Sequence, residues 1–177
     1  MSVPIGTKQW TLAEVHSLPD DGNKYELVRG ELFVTPCPSV RHESIAARLT
    51  RILDPYVEAN GLGLVHRPRA VLRVRDSEVE PDLMVRQEPP DPDWARAPTP
   101  ILVVEILSGS TRRRDWNQKR AFYLDAGVAE YWIVDPDARS ITVIRRDAGD
   151  AVSIDRLTWS PPGADAPLIV DLARVFG

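Results

Sequence analysis

Residues Ile101, Leu102, Val103, Val104, Glu105, Ile106 and Leu107 form an aliphatic run interrupted by one carboxylate. A continuous apolar run rich in β-branched residues predicts a strand covered on both faces. Such a strand demands a layered fold, with something packed above it and below it. It also sets a chemical problem. A carboxylate there cannot easily reach water, and leaving it charged and unpaired costs on the order of several kcal/mol. Glu105 therefore needs a cation, a set of hydrogen-bond donors or a proton.

Two residues are candidates for its company: Asp82 in Glu80-Pro81-Asp82-Leu83-Met84-Val85, and Lys119 in Asp115-Trp116-Asn117-Gln118-Lys119. An acid on one strand, an acid on the next and a lysine on the following helix suggest a metal-dependent phosphodiesterase site. Each residue also has a plainer reading. Pro-Asp is a common turn dipeptide, and Lys119 stands four residues after Asp115, the spacing of an ordinary helix-surface ion pair.

The order of elements is legible along the chain. Thr11-Leu12-Ala13-Glu14 has the form of a capping box and opens a short helix. Tyr25 to Val28 and Glu31 to Val34 flank Arg29-Gly30 as a hairpin. Ile45, Leu49, Ile52, Leu53 and Val57 recur at helical spacing between Ser39 and Ala59, with Pro55 expected to kink that helix. Three strands are predicted next, at about 64–74, 79–85 and 101–107, the last two separated by the loop-like linker Pro89-Pro90-Asp91-Pro92-Asp93. A helix from about Thr111 to Ala126 ends at Gly127. A second hairpin places Tyr131 to Val134 against Ile141 to Ile144, with an edge strand at Val152 to Leu157 and a short closing helix between Leu168 and Phe176. The fold class is therefore mixed α/β (α+β). The central sheet follows a helix–strand–strand–strand–helix–strand order: its first three strands are antiparallel and the fourth is parallel to the third through a right-handed crossover.

At 177 residues the chain is expected to form a single domain over 1–177, large enough for a core without disulfides. One cysteine, Cys37, and the absence of a signal-like or membrane-spanning apolar stretch lead us to expect a cytoplasmic protein. The formal net charge of −4 argues against a dedicated nucleic-acid binder, which is usually basic, but leaves room for a local basic stripe.

Strand alternation places Asp82 with Glu80 and Met84, and Glu105 with Val103 and Leu107, so the two acids can meet on one face. Two hard oxygen ligands suit Mg²⁺, with Mn²⁺ as a substitute. Arg67, Arg69, Arg73 and Arg75 recur at period two and are expected on one strand face, either tracking a nucleic-acid backbone or solvating the sheet. Arg112, Arg113 and Arg114 open the helix after Glu105, where they oppose the helix dipole and a phosphate would offset the cost. His42 starts the long helix and can orient a water or a phosphate. Zinc-type ligand spacings, glycine-rich phosphate loops and nucleophile elbows are absent from the sequence.

Several segments together resemble a known family. Tyr25-Glu26-Leu27-Val28-Arg29-Gly30-Glu31-Leu32, Pro36 to His42, Pro81-Asp82, Val103 to Ser108, Asp115 to Lys119 and Gly127 to Pro136 are similar to the bacterial Uma-two-type putative restriction endonucleases. These belong to the PD-(D/E)xK nuclease superfamily, with a restriction-endonuclease-like core of the element order above. The resemblance implies that Asp82 and Glu105 bind a divalent metal, that Lys119 is the catalytic lysine, and that Glu26 and His42 complete the site. Leu107 stands where the superfamily's lysine usually follows the acid by two, so the lysine has to reach in from the helix. The reading is a Mg²⁺-dependent endodeoxyribonuclease acting on DNA, with a homodimer suited to cutting two strands. The competing reading is a nuclease-fold module without turnover that binds nucleic acid or protein.

Overall fold

The computed structural model describes residues 8–88, 93–109 and 112–177; the side chain of Arg113 lies outside the description. The linker Pro89 to Pro92 and the helix start at Thr111 also fall outside it.

The chain opens with α1 (Leu12–His16), whose Thr11 and Glu14 close the expected capping box. Next come β1 (Lys24–Val28) and β2 (Glu31–Thr35), joined by a tight turn with positive φ at Arg29 (51°) and Gly30 (81°). Two consecutive positive-φ residues match the twist of a two-residue hairpin, which favours a glycine there. Ser39 caps α2 (Val40–Ala59), and the helix passes Pro55 as one element of 20 residues.

The expected strand over 64–74 is two strands in two different sheets: β3 (Leu64–His66) and β4 (Leu72–Val74). The segment turns at Pro68, which removes a backbone donor from the ladder. The next expected strand divides in the same way, into β5 (Ser77–Val79) and β6 (Leu83–Arg86), with Pro81 between them. β7 (Leu102–Ile106) follows. The helix after it is α3 (Arg112–Arg114), a π-helical turn (Asp115–Lys119) and α4 (Arg120–Asp125), ending before Gly127 at φ 84°. β8 (Glu130–Asp135) and β9 (Ser140–Ile144) form the second hairpin. The expected edge strand at 152–157 also splits, into β10 (Ala151–Ser153) and β11 (Arg156–Trp159). The expected closing helix is preceded by β12 (Leu168–Asp171), leaving α5 as Leu172–Phe176.

Six strands form the central sheet in the order β10-β9-β8-β7-β6-β3, antiparallel except for the parallel β7–β8 pair. β2-β1-β5-β4 form a second sheet, and β11 pairs with β12. One face of the central sheet packs on α2 and α5 through Leu49, Leu53, Trp132, Trp159 and Val175. The other packs on α4 and the second sheet through Val28, Val79, Met84, Val103, Tyr123 and Tyr131. Every residue of β7 is buried, as its apolar run requires.

Candidate active site

β6 and β7 pair with Leu83 opposite Val104, and that register carried one residue further sets Asp82 opposite Glu105. Asp82 itself lies in the bend before β6, freed from the ladder by Pro81. The Ile106 N–H donates to its Oδ2 at 2.8 Å, and His42 Nε2 lies 3.0 Å from the same oxygen. The Glu105 carboxyl group meets the helix that follows β7, and that of Asp82 lies between His42 of α2 and Lys24 of β1. β1 also carries Glu26, with Lys24 two residues earlier on the same strand face.

Lys119 ends the π-helical turn and turns inward. Its Nζ lies 2.7 Å from Glu105 Oε1 and 2.8 Å from Glu26 Oε1, and its side chain has no exposed surface. It is not the partner of Asp115, whose carboxylate lies 3.3 Å from Arg114 Nε. The Tyr123 hydroxyl donates to Glu105 Oε1, and the Glu80 N–H donates to Glu26 Oε1 at 2.9 Å. One ammonium is thus shared by two buried carboxylates.

The electrostatics separate the acids. Burial pushes Glu105 up, repulsion from Asp82 and Asp115 adds to it, and Lys119 and Lys24 oppose it; its carboxyl is raised to about 7. Burial also acts against an ionised Asp82, but Lys24, His42 and the Ile106 N–H outweigh it and hold that carboxyl well below the usual range. Glu26 is likewise lowered, with Lys119, Lys24 and Arg114 overcoming burial. His42 is raised, because its contact with Asp82 exceeds the cost of burying its charge. A pair of nearby carboxyls pushed in opposite directions is a frequent property of working sites.

Above these groups opens a cavity of about 610 Å³. Asp82, Glu105, Ile106 and Ser108 line it, with Lys24, His42, Glu80, Arg67, Arg69 and Arg114 around them and Ala46 and Ala47 of α2 opposite. Glu26 and Lys119 do not line it; they sit behind Glu105.

The arginines do not form the stripe expected of them. Arg67 and Arg69 stand in the loop between β3 and β4, at the cavity. Arg73 is in the second sheet, paired with Glu78 at 2.6 Å through its Nε, and Arg75 occupies the β4–β5 turn at φ 53°. The physical reason is the break after β3, which sends the two halves of the segment to different sheets. Arg112 is held by Asp135 through two hydrogen bonds of 2.6 and 3.1 Å. Arg114 is largely buried, 2.8 Å from Thr35 Oγ1 and 3.6 Å from Glu26 Oε2. Arg113 falls outside the described side chains.

Sequence reasoning overlooked Lys24 and Tyr123. The signals were present: Lys24 is two residues before Glu26 on a strand, and Tyr123 is four after Lys119 on a helix, so each shares a face with a residue already singled out.

The sequence family model described as putative restriction endonuclease (Uma2) matches residues 12–167. The chain belongs to the Uma2 family. An uncharacterized protein of Synechocystis sp., sll1609, is 29% identical over 141 residues, covering 76% of this chain and 80% of that protein. The crystal structure of a putative nuclease from Anabaena variabilis superposes with a TM-score of 0.79, at 21% identity, covering 94% of this chain and 97% of that one. The Uma2 chain therefore shares the restriction-endonuclease-like fold, and its family is of nuclease type. No helix among the described residues is long and apolar enough to cross a membrane.

The donor set fits a hard divalent cation. Mg²⁺ commonly takes one or two carboxylates and completes its octahedron with water and phosphate oxygens. Asp82 and Glu105, which both line the cavity, could offer two. Among the described residues no group of three or more His, Cys, Asp or Glu could hold a metal ion, so any ion here would have to take most of its ligands from water and substrate.

Proposed function

We propose that this protein is a metal-dependent endodeoxyribonuclease that hydrolyses DNA phosphodiester bonds in the cavity above Asp82 and Glu105. The observation that carries this reading is that Asp82, just past the end of the β6–β7 ladder, and Glu105, within β7, line one cavity together with Arg67, Arg69 and Arg114. Asp82 and Glu105 would hold the ion, Mg²⁺ or Mn²⁺ in its place. A bound divalent ion supplies a more acidic water and neutralises charge developing on the phosphate. Hydrolysis forms a bond from the water oxygen to phosphorus, breaks one ester P–O bond, and passes a proton to the departing sugar oxygen.

The chain's own residues prepare this reaction. His42 and the Ile106 N–H fix the orientation of Asp82, while Lys119 and Tyr123 fix that of Glu105. Glu26 anchors Lys119 from behind. The arginines at the cavity supply phosphate-binding charge that the acidic chain lacks in bulk. A homodimer would set two such sites against opposite strands.

Supercoiled plasmid incubated with purified protein tests the proposal. Open-circular and linear products should accumulate with Mg²⁺ or Mn²⁺ and be absent with EDTA and in Glu105→Ala. Intact plasmid throughout, with DNA still bound, would favour the binding module without turnover.

A further inference from the structure

Of the 22 basic residues in the chain only Lys8, Lys24 and Lys119 are lysines. Arginine fills the remaining basic positions, yet two of the three lysines converge on the candidate active site. An ammonium is a compact point charge with three donors, suited to a tight place where a guanidinium's planar fork does not fit.

The two lysines differ in what they can reach. Lys119 is sealed between Glu26 and Glu105, has no exposed side-chain surface, and does not line the cavity. Lys24 does line it, with 16% of its side chain exposed. Its Nζ donates to the Glu80 carbonyl at 2.9 Å and stands 3.5 Å from Asp82 Oδ1 and 4.0 Å from Glu26 Oε1. The contact with Asp82 is a second, longer hydrogen bond, and an ammonium has three donors. The ammonium therefore keeps donor capacity, on the cavity side of the same carboxylate that opposes Glu105.

We propose that Lys24 is the ammonium that contacts the phosphate at the reaction centre, and that Lys119 is a positioning residue acting through Glu105. The inference rests on the nuclease reading and refines it. Two carboxylates at the cavity floor repel a phosphodiester, and Lys24 is the one lysine that both adjoins them and meets the cavity. Being tethered by the Glu80 carbonyl, it presents its charge without reorganising when substrate arrives.

The test measures binding, so it does not depend on turnover. Affinity of Lys24→Met and wild-type protein for a short DNA duplex is followed by fluorescence anisotropy in EDTA at several salt concentrations. Loss of one phosphate contact should flatten the slope of log affinity against log salt by about one unit. In wild-type protein carrying uniformly ¹³C,¹⁵N-labelled lysine, only three ε-methylene resonances arise. With the Lys24 signal assigned by through-bond correlation to its backbone, it should shift on saturation with the duplex, and more than that of Lys119. This second measurement stands even where Lys24→Met does not fold. An unchanged slope in folded Lys24→Met, or a stationary Lys24 resonance in wild-type protein that does bind the duplex, overturns the inference alone. Wild-type protein that fails to bind DNA at any salt overturns it together with the nuclease reading.

Discussion

Replacing Glu105 with glutamine should make the metal-free protein more stable, and only above mildly acidic pH. In the folded chain the Glu105 carboxyl is raised from 4.5 to about 7, chiefly by burial, with Asp82 and Asp115 adding repulsion that Lys119 and Lys24 do not cancel. An acid whose folded value is raised binds its proton more tightly in the folded state. Its contribution is complete below its unfolded value near 4.5 and is lost as pH rises through about 7. At ~1.4 kcal/mol per pH unit, the difference amounts to about 3 kcal/mol. Glutamine stays neutral, can still accept from Lys119 and Tyr123, and has nothing to lose. Thermal unfolding in EDTA from pH 4.5 to 8.5 should therefore show Glu105→Gln gaining on wild type through that window and levelling off above it. For a chain of this size the final gap is roughly 6–12 °C. The contributions of Asp82 and His42 are common to both proteins and cancel in the comparison. Parallel curves, with a gap independent of pH, would refute the assignment of the proton to Glu105.

Two further outcomes follow from the same charges. Lys119→Met leaves Glu26 and Glu105 buried without their shared cation and should cost about 3–5 kcal/mol, read from urea denaturation at pH 8. In Arg67→Ala/Arg69→Ala the salt dependence of DNA binding should flatten by roughly two units, while Arg73→Ala/Arg75→Ala should leave it unchanged; equal slopes in the two double variants would place the DNA path elsewhere.

Much of the fold could be read from local signals. Thr11 and Glu14 form their capping box, Arg29-Gly30 makes its turn, and the aliphatic run around Glu105 is buried along its whole length. The expected antiparallel–antiparallel–parallel order also stands in the core, with the helix between β7 and β8 restoring the chain direction, although β3 reaches β6 through β4 and β5 of the second sheet and not through a short loop. Sheet membership was not legible. Residues 64–74 keep a period-two arrangement of arginines, but the pattern does not say where Pro68 turns the chain into a second sheet. The same limit hid the split at Pro81, which takes Asp82 out of the ladder, and the division of 151–159 between two sheets. Burial of Glu105 was a matter of sequence; the identity of its partners was a matter of tertiary packing. Lys119 on a helix facing β7 and Glu26 on β1 meet only because the second sheet folds over the first. Lys24 shares a strand face with Glu26, but that spacing alone does not say that the face meets Asp82 and the cavity.

If Asp82 and Glu105 act as one metal site, direct Mn²⁺ binding shows it most closely. Electron paramagnetic resonance of free Mn²⁺, titrated at pH 7.5 against wild type, Asp82→Asn and Glu105→Gln, should show binding by wild type that is lost in both variants. Proton release on wild-type binding should be a small fraction of a proton at pH 7.5 and grow when the titration is repeated below pH 7, where Glu105 is mostly protonated. Equal Mn²⁺ binding by all three proteins, or none by wild type at millimolar ion, would contradict the metal site at the centre of the proposal.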